Sequence, residues 1–219
     1  MPQTQDHLRL PKEDFQQFLE GLSKVSDTAI LNIENDKMFA ISSSEDRSLF
    51  LWSSLDGDFG FNATLNIPSL KKLSKSLNLI TSTDVDFVVK TNHLEYKGDT
   101  VKFKYHLYDD GTLVAPKITL SKIESLTYEY EFDVSKIFIK DILKNSATFN
   151  DTNKLYIYTE DGNMIWSLAD RTQMNTDVLT IVGDPVDFEM DEFILNLDNV
   201  RLLNFGESST LDLKVNKMG

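Results

Sequence analysis

The sequence predicts an α+β protein made of two tandem domains of one plan, and three observations carry that prediction. First, segments with an apolar stripe at helical spacing recur at a near-constant offset. Phe15 and Ile139 lie 124 positions apart, and Leu70 and Leu197 lie 127 apart. Second, short alternating runs bounded by turn residues fill the intervals, as strands of antiparallel sheets do. Third, a connector rich in turn signals, Asp110-Gly111-Thr112-Leu113-Val114-Ala115-Pro116-Lys117, sits at the midpoint. A repeat this large is a domain and not a solenoid unit. Each copy reads as two helices packed on an antiparallel sheet. The expected division is residues 1–109, a connector at 110–127, and residues 128–219.

In chain order, residues 11–25 read as a helix. Pro11 suits the first turn, and Phe15, Phe18, Leu19, Leu22 and Val25 form one stripe. Its other face, with Glu13, Gln16, Gln17, Glu20 and Lys24, is mixed in charge. Strands are expected at 29–33, 38–42, 49–53 and 59–65. A second helix starts near Pro68, with Leu70, Leu73, Leu77 and Ile80 on one side and Lys71, Lys72 and Lys75 centred opposite. Strands at 85–90, 93–96 and 101–107 complete the first half.

The second half opens with a strand at 128–132. Ser135 then caps a helix running to about Ser146, with Phe138, Ile139, Ile142 and Leu143 towards the core. Lys136, Lys140 and Lys144 recur every fourth residue, a spacing that predicts a basic row away from that core. Strands follow at 155–159 and 164–169 around a hairpin turn, then at 178–181 and 188–190. A short helix at 197–203 carries Arg201. One strand, 210–215, and the start of a turn at 216–219 close the chain, so by internal symmetry the second domain is about two strands short, with an open sheet edge.

Composition narrows the function classes. Apolar residues make up 41% and charged residues 26%, ordinary for a globular protein. There is no cysteine, which excludes disulfides, thiolate nucleophiles and Cys-ligated metals. No run approaches a membrane span, which reads as a cytoplasmic protein with no membrane partner. The net charge of −13, from 22 Lys and Arg against 35 Asp and Glu, argues against nucleic-acid binding unless the cations gather on one surface. The two lysine rows, one per half on what the repeat suggests are equivalent regions, are such a gathering. The plainer alternative is that they are solvated helix faces. Leu113, Val114, Pro116 and Ile118 pose a similar choice. An apolar connector either docks partner peptides or pins itself to its own domain.

The tandem plan, the stretch Thr112-Leu113-Val114-Ala115-Pro116-Lys117, the acidic balance and the lysine rows together resemble the DNA sliding clamps, most nearly the T4-type bacteriophage clamps. That resemblance implies the processivity-clamp fold and a head-to-tail homotrimer, with helices inside the ring and sheets outside. It implies double-stranded DNA, a DNA polymerase and an ATP-dependent clamp loader as partners, and contact with late-transcription machinery. The DNA-facing set would be Lys24, Lys71, Lys72, Lys75, Lys136, Lys140, Lys144 and Arg201. The peptide-binding set would be Leu113, Val114, Pro116 and Ile118. Subunits would join by pairing the strand of Val101, Phe103 and Tyr105 with that of Met164, Trp166 and Leu168. No catalytic residue, metal or cofactor is expected.

Two other classes remain in view. A carboxylate-based hydrolase would draw on Asp56 and Asp58, Asp109 and Asp110, or Glu160 and Asp161, all of them in turn contexts. His7, His93 and His106 are scattered, and no phosphate loop or nucleophile motif occurs. An acidic phage scaffold or DNA mimic would need acidic rows where the helices carry lysines.

Overall fold

The structure is a computed structural model and describes residues 6–45, 47, 49–148, 153–172, 177–203 and 210–216. The chain divides into two compact units, Met1–Glu124 and Ser125–Gly219. Most of the expected connector therefore belongs to the first unit.

The first unit opens with a strand that the sequence reading lacked, β1 (His7–Pro11), which runs directly into α1 (Lys12–Ser23). Pro11 is the helix N-cap, where its missing N–H costs nothing. β2 (Ala29–Glu34), β3 (Lys37–Ser43), β4 (Phe50–Asp56) and β5 (Ala63–Ile67) form an antiparallel sheet in the order β4-β3-β2-β5. The expected strand at 59–65 starts late because Gly60 takes a φ of +69°, which an extended strand does not accommodate. Then come α2 (Leu70–Leu77), β6 (Asp84–Lys90), β7 (His93–Lys97), β8 (Lys102–His106) and the short α3 (Leu120–Glu124). The second sheet has the order β1-β6-β7-β8, also antiparallel. Both sheets and both long helices feed one core, in which Phe15 meets Phe87 edge-on at 6.5 Å.

Two polar devices hold this unit together. Glu20, expected on the outward face of α1, instead turns into the seam with α2. Its Oε1 accepts the Ser74 hydroxyl at 3.1 Å and the Gln16 amide at 3.0 Å. On the sheet, Asp86 ties β6 to β1 by accepting from His7 Nδ1 at 2.7 Å and Arg9 Nε at 2.8 Å. Burial works against ionisation of Asp86, but the hydrogen bonds and charges of His7 and Arg9 outweigh it and hold its carboxyl below the ordinary 3.8. A depressed folded value means stability that is present above pH 3.8 and lost as pH falls through the folded value. Asp86→Asn is expected to flatten that acid limb in urea titrations run at successive pH values. An unchanged limb would show that the pair does not contribute.

The second unit contains β9 (Tyr130–Ser135), α4 (Lys136–Ser146), β10 (Lys154–Glu160), β11 (Asn163–Ala169), β12 (Val178–Pro185), β13 (Phe193–Asn196), α5 (Leu197–Leu203) and β14 (Thr210–Val215). Its larger sheet, β12-β11-β10-β13, repeats the order of β4-β3-β2-β5. The β10–β11 hairpin turns through Asp161 and Gly162, both with positive φ (50° and 74°), as a two-residue turn between twisted strands requires. The expected strand at 188–190 is not one. There Met190 N–H donates to Thr159 Oγ1 at 2.8 Å and its carbonyl accepts from Thr159 N–H at 3.2 Å, which closes a loop over β10. The strand lies further on, at β13. The smaller sheet pairs β14 with β9 alone among the described residues, whereas β1 and β6 of the first unit are followed by two further strands. Residues 217–219, read as part of a turn, lie outside the described residues.

Candidate nucleic-acid interface and docking groove

The first turn of α2 is capped twice. Ser69 Oγ accepts from Lys72 N–H at 3.1 Å, and Asp27 Oδ1 accepts from Lys71 N–H at 2.8 Å. Asp27 Oδ2 also takes the Ser69 hydroxyl at 2.8 Å. Two orphan donors are thereby satisfied, and a carboxylate sits at the positive end of the helix. Leu70, Leu73 and Leu77 are buried, while Lys71, Lys72 and Lys75 are all exposed. None of the three lysines makes an ion pair among the described residues.

α4 departs from its expected row. Ser135 caps it as read, with Oγ accepting from Phe138 N–H at 3.1 Å. Lys140 and Lys144 are exposed, but Lys136 is only 7% exposed. Each step of four advances about 40° around a helix, so a row at that spacing drifts. Its first member lies beside the Ile139–Ile142 stripe and its last lies far from it. Ile137 occupies the outward face instead. Lys24 is exposed at the C-cap of α1, with Glu13 and Asp14 in the first turn of the helix. Arg201 on α5 is exposed but engaged by Asp198. In repeat order α1 matches α4 and α2 matches α5, so the two lysine faces are not on equivalent helices.

The connector begins with a turn in which Thr112 N–H donates to the Asp109 carbonyl at 3.1 Å, and Gly111 takes a φ of +81°. Asn66 of β5 pins it, donating to Asp110 Oδ1 at 3.0 Å. Beyond this point Val114 is 85% exposed, while Leu113, Pro116 and Ile118 are half-buried. Two hollows flank the Val114–Pro116 ridge. One, of about 170 Å³, is shared with Ile30 and Ile41; the other, of about 310 Å³, is shared with Phe50, Arg47 and Lys122. The connector is therefore partly pinned to its own unit and partly open to solvent. Its facing wall comes from β2 and β3 and the start of β4 in the same unit. Arg47, Phe50 and Lys122 were not foreseen, because nothing local marks a residue as facing a distant connector.

The subunit-interface residues need the largest correction. β8 is an edge strand, as expected. Its inward side chains, however, pack into the unit's own core. Phe103 packs on Phe87 and Tyr96, and Tyr105 is buried with its hydroxyl donating to the Ser69 carbonyl at 2.7 Å. Burial pushes the Tyr105 phenol up to about 12, against the opposing effect of the Ser69 N–H, which donates to the phenol oxygen at 3.0 Å. Val101 precedes the strand and is half-buried. The outward side chains are Lys102, Lys104 and His106. β11 is not an edge at all. It pairs with β10 on one side and β12 on the other, and Met164, Trp166 and Leu168 are core residues. The edges of that sheet among the described residues are β12 and the short β13, and Val178 and Val182 of β12 are more than half exposed.

No protein-family model and no curated protein matches the sequence. Solved structures do. The chain superposes on the DNA polymerase III beta subunit of Thermotoga maritima with a TM-score of 0.72 at 9% identity, covering 96% of this chain and 59% of that one. The corresponding subunit of Borrelia burgdorferi gives 0.73 at 10%, covering 97% and 60%. The DNA polymerase sliding clamp of Bacillus subtilis gives 0.69 at 15%, covering 97% and 58%. The fold is that of the sliding clamps. This chain spans about three fifths of the length of those clamp structures. Within the clamp fold the carboxylate pairs fall at turns and strand ends. Asp161 serves the β10–β11 turn and Asp110 holds Asn66. Among the described residues no group of three or more His, Cys, Asp or Glu is arranged to hold a metal ion, and no helix is long and apolar enough to cross a membrane.

Proposed function

We propose that this chain is a non-enzymatic sliding clamp of the T4 bacteriophage type, which closes as a homotrimeric ring around double-stranded DNA in the cytoplasm and tethers a DNA polymerase. The observation that carries this reading is the clamp fold with exposed lysines on the solvent faces of α2 and α4, in a chain of net charge −13. Lysine is a mobile point charge, suited to neutralising phosphates without fixing register. The DNA-facing set is then Lys71, Lys72, Lys75, Lys140 and Lys144, with Lys24 at the margin. Lys136 is left out by its burial and Arg201 by its pairing with Asp198.

Head-to-tail closure uses one sheet edge from each unit. β8 offers Lys102, Lys104 and His106, and β12 offers Val178, Val182 and the exposed Asp184. Opposite charge on unlike edges favours a heterologous contact over self-pairing. Lys102→Glu with Lys104→Glu is expected to shift the trimer to monomer in sedimentation, and adding Asp184→Lys to restore part of it. A trimer unaffected by the reversal would remove β8 from the interface. The connector hollows are the docking site for short apolar segments of the polymerase and of an ATP-dependent clamp loader. The deciding experiment is topological: the loaded protein is retained on circular DNA and released when the circle is cut. Equal release from both forms would rule out encirclement.

A further inference from the structure

We infer that the connector groove selects bipartite peptides, an apolar anchor adjoining a run of carboxylate side chains, an inference that rests on the docking reading above. The two hollows share Ser43, Val114 and Pro116 but differ in charge. The smaller is bounded by Ile30, Ile41 and Leu113 and carries no charged side chain among the described residues. The larger has Phe50 and Ile118 in its wall and Arg47, Lys117 and Lys122 around it, all three exposed, with no carboxylate among the described residues. Acids outnumber bases 35 to 22 across the chain, so a lining with three cations inverts the local balance.

The neutral hollow suits one or two aliphatic or aromatic anchors, as peptide grooves generally do. The basic hollow adjoins it across the ridge, and Arg47 can engage a carboxylate through two parallel N–H donors. A peptide with basic flanks meets like charge there. A peptide with acidic flanks is repelled by most of the protein surface and attracted at this groove. Charge therefore sets which apolar segments dock, and where they do so.

The test uses fluorescein-labelled peptides with one Ile-Leu-Phe core, flanked either by Asp and Glu or by Asn and Gln, with binding followed by anisotropy on the full chain. The acidic peptide is expected to bind about tenfold more tightly at low salt, and the gap to close as salt rises. Arg47→Gln with Lys117→Gln should erase the preference, so that the acidic and neutral peptides bind the variant with equal affinity. Val114→Asp should abolish both, with unchanged circular dichroism showing that the fold survives. Equal affinity of the two peptides for the unaltered protein would overturn the inference and leave the docking reading standing. Binding of neither peptide would overturn both. A preference that persists in the Arg47→Gln/Lys117→Gln variant would assign the selectivity to another surface.

Discussion

Alanine at Lys71, Lys72, Lys75, Lys140 and Lys144 together is expected to flatten the salt dependence of binding to a short linear duplex. Each phosphate contact contributes about 0.9 to the slope of log K against log salt, so loss of several contacts lowers affinity by orders of magnitude at low ionic strength. All five side chains are exposed, so the variant should melt like the parent. Lys136→Ala is the internal control. Lys136 belongs to the same sequence row but is buried, so its loss is expected to leave the slope alone. Anisotropy titrations across a salt series read both. An unchanged slope in the fivefold variant would put these helices away from DNA, and a changed slope in Lys136→Ala would reinstate the simple row.

Trp166→Ala is expected to unfold the second unit selectively. Trp166 is 1% exposed on the interior strand β11, packs edge-on against Phe138 at 5.5 Å, and closes over Gly183. A cavity of about 250 Å³ already borders it, lined also by Phe132 and Val186. Truncating a buried tryptophan costs about 3–5 kcal/mol, a large share of what a domain of this size commands. The only other tryptophan, Trp52, lies on β4 of the first unit and reports on that unit separately. In urea, circular dichroism of the variant should show an early transition, while Trp52 fluorescence keeps its midpoint. A single transition shared by both probes would mean that the units unfold as one body.

Local periodicity made the helices legible, and with them the face of α2. Leu70, Leu73 and Leu77 fix one side, and three lysines have nowhere to go but the other. The same reasoning overreached at Lys136, because a spacing of four is not the helical period and the error accumulates along the helix. Strand existence was mostly legible, but strand order was not. Alternation in Met164, Trp166 and Leu168 says that one side of β11 is buried. Whether its edges are free depends on β12, whose partner is chosen by tertiary packing. The Glu20–Ser74 bond and the Asp27 cap were hidden for a similar reason. Each joins residues from separate elements, and a polar residue at helical spacing looks solvent-facing until its neighbour is known. The groove cations come from two separate segments, Arg47 ahead of β4 and Lys117 with Lys122 in the connector, so no single window of sequence contains the charge pattern.

In each unit the opening strand is partnered by one made much later. His7 of β1 pairs with Val88, and Tyr130 of β9 pairs with Val215. Long sequence separations of this kind raise contact order and slow folding. On the ribosome they also impose a schedule. β1 waits for β6, but the first unit can complete once α3 has cleared the exit tunnel, while the second is still being synthesised. β9 then remains without a partner until residues 210–215 emerge. For that interval Phe132 and Val134, which are core residues in the finished unit, lie on a strand with no ladder on either edge. This is the stage of biosynthesis at which the nascent chain is most open to mispairing, and the stage at which a holdase would have most to protect.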